Sequence, residues 1–186
     1  MKSFSTFLVS PKDGKSYDNE IVLGDGRSFV VSNSIENHEM TQRHAVVISV
    51  PHGDKSGISA GDEVIVHHNV FRRFYDVKGR EKTSSSHVVD NVYSVTPDRV
   101  YLFRKPGGEW MAPKPFMFVV PALNTDPFSK EYNQAFTGTV AYSCDPDINV
   151  GDEVGFEKWC EYKFKIDNQW MYRMFLKNIV WQKRRS

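Results

Sequence analysis

The sequence predicts an all-β protein: two tandem small β-barrels with hairpin and loop extensions, and little or no helix. Three observations predict it. Short β-branched or aromatic runs alternate with turn residues along the whole chain. No window of adequate length keeps apolar residues at helical spacing. A block of four elements occurs twice in the same order. Aromatics make up 13% of the 186 residues, which weights the expectation toward pleated, half-buried surfaces.

In chain order, the first half offers strand runs at Thr6 to Val9, Ile21 to Leu23, Phe29 to Val31, Ala45 to Val50, Glu63 to Val66, Val92 to Val95 and Val100 to Phe103. The second half offers Phe116 to Val120, Gly138 to Tyr142, Glu153 to Phe156, Tyr162 to Ile166, Tyr172 to Phe175 and Ile179 to Trp181. Turn chemistry separates them at Pro11 to Gly14, Gly24 to Gly26, Lys78-Gly79, Pro106 to Gly108 and Asp167-Asn168. Many short strands at regular spacing predict a barrel or a sandwich.

The repeat is centred on Ser59-Ala60-Gly61-Asp62-Glu63-Val64-Ile65-Val66, which returns as Asn149-Val150-Gly151-Asp152-Glu153-Val154-Gly155-Phe156. Ahead of each copy, Ala45 to Pro51 matches Gly138 to Ser143. After each copy comes a polar hairpin and a similar ending, Tyr93 to Tyr101 and Tyr172 to Trp181. The spacing predicts two domains, 1–106 and 107–186, joined in the loop Arg104 to Glu109. The first carries an N-terminal extension and a long hairpin from Val70 to Asn91. In both copies the Gly permits a tight turn, and the Asp side chain can bond nearby backbone N–H groups to launch the next strand. That role is structural and carries no chemistry.

Charge and motifs exclude several function classes. With 24 basic and 23 acidic residues, no global field points to nucleic acid or membrane. Lys183-Arg184-Arg185 reads as a solvated chain end. The longest apolar run, Phe116 to Val120, is far too short to span a bilayer. Met1 to Ser10 has neither a basic start nor a long apolar core, so no signal peptide is expected and a cytoplasmic location is the default. Cys144 and Cys160 form no CxxC and read as buried thiols in a reducing compartment. There is no P-loop, GxSxG or HExxH, and no paired carboxylates stand out, so no catalytic residues and no cofactor are expected. His67 and His68 fall next to each other on an expected strand, facing opposite sides, and cannot easily share a metal. His38, His44, His52 and His87 are expected in or near loops. The stripe Trp159, Tyr162, Phe164, Trp170, Tyr172, Phe175 and Trp181 is expected to be barrel core rather than a base-stacking platform.

The second half resembles the GroES-type co-chaperonin family. The resemblance rests on Gly138-Thr139-Val140, Val150-Gly151-Asp152-Glu153-Val154-Gly155-Phe156, Lys163 to Asp167, Tyr172-Arg173 and Asn178-Ile179-Val180. It covers residues 114–182, and more loosely 5–104 through Ala45 to Val50, Gly61 to Val64 and Asp98 to Val100. Two copies in one chain are similar to tandem plastid co-chaperonins, and divergent forms occur in bacteriophages. With nothing here like a transit peptide, the phage side is favoured, and the location is then the host cytoplasm.

The resemblance implies a non-enzymatic lid that assembles into a homo-oligomeric ring and caps a GroEL-type chaperonin ring through mobile loops. Such a loop offers a short aliphatic tripeptide to an apolar groove. Each contact is weak because ordering the loop costs entropy, and repetition supplies avidity. Ile21, Val22 and Leu23, ten residues beyond Pro11, match that tripeptide. The same residues could instead form a hairpin with Phe29 to Val31 around Gly24-Asp25-Gly26. In a further register Phe29 to Val31 would be the first barrel strand and Ile35 to Arg43 the loop. The equivalent loop of the second copy, Asn124 to Phe136, offers Pro127, Phe128 and Tyr132 instead. The alternatives are a structural or assembly protein of the same fold, for instance in a phage, that has lost chaperonin binding, and an oligonucleotide-binding barrel.

Overall fold

The computed structural model describes residues 2–14, 20–22, 28–30, 43–123, 133–167 and 169–185. Among these the protein is all-β, and its helical segments are 3₁₀ turns of three residues. The chain divides into two compact units, Met1–Glu109 and Trp110–Ser186.

The first unit contains β1 (Phe7–Pro11), β2 (Glu20–Val22), β3 (Ser28–Val30), β4 (His44–Ser49), β5 (Glu63–Val66), β6 (Arg73–Tyr75), β7 (Glu81–Thr83), β8 (His87–Val89), β9 (Val92–Val95) and β10 (Val100–Arg104). The second contains β11 (Phe116–Leu123), β12 (Asn133–Tyr142), β13 (Glu153–Phe156), β14 (Tyr162–Ile166), β15 (Gln169–Phe175) and β16 (Ile179–Lys183).

Each unit is built on one six-stranded sheet, ordered β8-β9-β1-β4-β5-β10 in the first and β14-β15-β11-β12-β13-β16 in the second. The two orders are the same when the six strands are matched in chain sequence. β2–β3 and β6–β7 form separate two-stranded ladders inserted in the first unit. The end strands of each six-stranded sheet are not hydrogen-bonded to one another, so the sheets are open.

The match extends to individual residue pairs. Phe7 faces Val95 and Val9 faces Tyr93, as Met117 faces Met174 and Val119 faces Tyr172. Pro11 pairs with Ala45 and Pro121 with Gly138, each one side of a ladder whose register slips one step after Leu8 or Phe118. Val66 pairs with Val100 and Phe156 with Ile179. Inward-pointing members of these pairs form the cores: Phe7, Val9, Val47, Val64, Val66, Tyr93 and Val95 in one unit. In the other, Met117, Val119, Val140, Val154, Phe156 and Met174 are buried, with Tyr172 and Ile179 packed against them. Strands from both ends of the chain segment thus supply one core, burying the apolar face that each strand's period-two pattern creates.

Several expectations need correction. The first strand of the first sheet is Phe7–Pro11 and not Phe29 to Val31. The stretch from Val70 to Asn91, expected as a polar hairpin, contains the antiparallel β6–β7 ladder. β6 and β7 meet around Lys78-Gly79, where Asp76 Oδ1 accepts hydrogen bonds from the Lys78 and Arg80 backbone N–H groups at 2.8 and 2.9 Å. The aromatic stripe is only partly core. Phe164 is buried and Tyr172 half-buried, but Trp159 is 87% exposed and Trp170 50%, and Tyr162, Phe175 and Trp181 also face solvent. Strand alternation explains this, because residues on both faces and at strand ends cannot all enter one core. His67 and His68 do not sit on opposite faces of a strand. β5 ends at Val66, a 3₁₀ turn begins at His68, and the two rings stack with centroids 4.2 Å apart.

Candidate functional site

The loop between the first and second strands of each sheet is where the sequence places its partner-binding candidates. In the first unit it leaves β1 at Pro11, turns at Lys12–Gly14 and re-enters at His44. Ile21 and Val22 lie in β2, paired through the backbone with Phe29 and Ser28. This is the pairing of the hairpin alternative. Leu23 lies outside the described residues. In the second unit the loop departs after Leu123 and returns at Asn133, which face each other at its base. Pro127, Phe128 and Tyr132 lie outside the described residues.

Two residues beyond Ala45 and Gly138, which face the prolines at the loop bases, each second strand meets a Gly-Asp turn that leads into the third strand. Gly61 and Gly151 have φ of +90° and +93°, a left-handed conformation that a side chain would strain. The Gly61 N–H donates to Val47 O at 2.8 Å, and the Val47 N–H donates to Asp62 O at 2.9 Å. Gly151, Val140 and Asp152 repeat this pair of bonds at 2.9 Å each. Both aspartates are 3% exposed. Oδ2 of each accepts the backbone N–H three residues earlier, from Ser59 at 2.8 Å and from Asn149 at 2.9 Å.

The remaining partners differ between the copies. Lys105 Nζ donates to Asp62 Oδ2 at 2.7 Å, and also to Gly57 O and Ser59 Oγ. In the second unit Gln182 Nε2 takes the equivalent place on Asp152 Oδ2 at 2.7 Å, and the Arg185 N–H donates to Oδ1 at 3.0 Å. The Arg185 and Gln182 hydrogen bonds and that from Asn149 hold the Asp152 carboxyl below the ordinary aspartate range. The next residue also repeats: Glu63 faces Arg104 and pairs with it at 2.7 Å, and Glu153 faces Lys183 at 3.6 Å. Burial pushes Glu63 up, but hydrogen bonds from Arg104 and Lys12 outweigh it and set its carboxyl below the usual value.

These groups are hydrogen-bonded to one another, an arrangement that holds the turn in both units. Cys144 and Cys160 are free thiols packed against the second core, and burial raises both above the ordinary thiol value. Among the described residues no three His, Cys, Asp or Glu side chains gather as a metal ion would need. No described helix is long and apolar enough to cross a membrane.

No family model matches the chain, and no curated protein matches it. The sequence reading overlooked one feature, an apolar recess at the end of the second sheet between Leu123 and Trp170. Its signal was present as the alternation of Lys163 and Lys165 with buried Phe164 and Ile166, one strand away from a half-exposed tryptophan.

Proposed function

We propose that the chain is a non-catalytic co-chaperonin, a lid that docks on a GroEL-type chaperonin ring through the loops joining the first and second strands of its two units. The observation that carries this reading is the repeated loop base. In both copies the loop is slung between neighbouring central strands, with Pro11 opposite Ala45 and Pro121 opposite Gly138, and the second strand meets the same Gly-Asp turn two residues further on, at Val47 and Val140. A rigid base with a long connection fits a docking loop better than a buried scaffold element. The motif order resembling GroES-type proteins supports it independently. On this reading each open sheet curls into a small barrel, the chains assemble into a ring, and the lid works in the cytoplasm, that of the host if the chain is phage-encoded.

A second reading is favoured by one observation. Ile21 and Val22 already have backbone partners in Phe29 and Ser28. An aliphatic segment whose first two residues are paired in a hairpin suits a structural or assembly protein that keeps the fold without chaperonin binding.

Capture on an immobilised bacterial chaperonin ring, with and without ATP, decides between them. Nucleotide-dependent capture that is lost in Ile21→Ser/Leu23→Ser supports the lid and locates its contact in the first unit. Absence of capture in every nucleotide state removes the lid reading for that ring.

A further inference from the structure

We propose that the free edge of the second unit, along β14 and beside Trp170, is a docking groove for an acidic, extended peptide segment of a partner protein. This goes beyond the chaperonin reading and does not depend on it.

The groove begins with a recess of about 220 Å³ lined by Val120, Pro121, Leu123, Lys163, Trp170 and Tyr172. Its walls are apolar, and two of its largest members face solvent, with Trp170 50% and Leu123 59% exposed. Burying such groups against a partner's apolar side chain is favourable in proportion to the area covered. A recess of this size takes one side chain.

The second observation is charge. Lys163 pairs across the ladder with Tyr172 and Lys165 with Trp170, so both lysines stand on the Trp170 face of the hairpin. Their ammonium groups lie 4.6 and 6.0 Å from the Trp170 ring centroid. Neither makes an ion pair among the described residues. Positive charges at alternate positions match carboxylates at alternate positions of a strand laid alongside.

The third is the edge itself. β14 ends its sheet, so one row of its backbone N–H and C=O groups has no partner in that sheet. An added peptide strand can complete the ladder, whereas a nucleic acid has no backbone groups to do so. Lysines on an edge also repel or fail to reward neutral strands, which makes the edge selective rather than merely sticky.

The first unit shows that the fold does not require these residues. Two positions before Tyr93, the counterpart of Tyr172, stands Asn91 in place of Trp170. Two positions after Pro11, the counterpart of Pro121, stands Asp13 in place of Leu123. There Asn91 Nδ2 donates to Gly14 O at 3.3 Å, so the same end of the sheet is polar and tied to its own turn. The apolar, lysine-flanked recess belongs to the second copy.

The test is fluorescence anisotropy with the full chain and a labelled short peptide alternating Glu and Leu, against its Gln–Leu counterpart and single-stranded oligothymidine. The acidic peptide is expected to bind at least about tenfold tighter than the neutral one. Lys163→Glu/Lys165→Glu, two exposed positions whose change leaves the core intact, should abolish the preference. Trp170→Ser should weaken binding, and Asn91→Ala should not change it. Equal affinity for both peptides, an unaltered preference in the lysine variant, tighter binding of the oligothymidine, or no binding of either peptide would each overturn the proposal.

Discussion

The Lys105 ammonium lies 2.7 Å from a carboxylate oxygen of the buried Asp62. Asp62 is the pivot of the Gly-Asp turn, and Lys105 is the first residue after β10, so the contact ties the exit of the last strand to the entrance of the third. Asp62→Ala leaves the Ser59 N–H without its acceptor and should cost about 1–3 kcal/mol, read from the urea midpoint. Lys105→Met should cost less, about 1 kcal/mol, because the lysine side chain is half exposed and its charge is screened. An equal loss in both variants would show that the ion pair, and not the turn hydrogen bond, holds the site.

Acid should loosen both Gly-Asp regions. The Asp152 and Glu63 carboxyls are held below their ordinary values in the folded chain. Groups with depressed folded values add stability above the unfolded value, near pH 4 for such carboxyls, and lose it as pH falls through the folded value. Stability should therefore be flat above about pH 5 and fall below about pH 4. Asp152→Asn should flatten part of that fall. A wild-type acid limb unchanged in both Asp152→Asn and Glu63→Gln would refute the assignment.

The strands with an apolar face were legible in the sequence because burial and period two coincide there. Glu63–Val66, Val92–Val95, Glu153–Phe156 and Tyr162–Ile166 have the bounds that their composition suggests. β8 was not legible: in His87–Val89 both valines are exposed, so no alternation marks it. The backward extension of β12 to Asn133 depends on pairing with Leu123 across the loop, a contact between distant residues that no local pattern encodes. The Gly-Asp turns could be read as structural from residue types, but the identity of the third partner could not. Lys105 and Gln182 lie 43 and 30 residues from their aspartates, at positions fixed only by the sheet order. The exposure of Trp170 was missed for a related reason. Hydrophobic character alone does not say on which side of a strand end the ring emerges.

Met117 and Met174 are cross-strand partners, both at or below 2% exposure, in the centre of the second core. Met174→Ala removes a buried side chain and should cost about 2–5 kcal/mol, with the upper end reached if the cavity stays open. Its counterpart in the first unit is Val95, paired with Phe7. Met174→Val should be much milder if Met117 moves into the space, and a denaturation series of the two variants measures how far this core relaxes.

Gly155 and Trp181 face each other across β13 and β16, where the first unit has Ile65 and Leu102. A Cβ on Gly155 would overlap the Trp181 indole, while Ile65 and Leu102 share the same backbone positions without conflict. The two copies have thus divided one volume differently: small beside very large, or medium beside medium. Overpacking a ladder of this kind costs about 1–3 kcal/mol. Gly155→Ile alone should be destabilising by that amount and should push the half-exposed Trp181 ring further into water, red-shifting its fluorescence. Gly155→Ile/Trp181→Leu, which recreates the pair of the first unit, should recover most of the loss. The coupling is read from a double-mutant cycle, and additivity of the two substitutions would show that the indole, not the backbone, is indifferent to the residue beneath it.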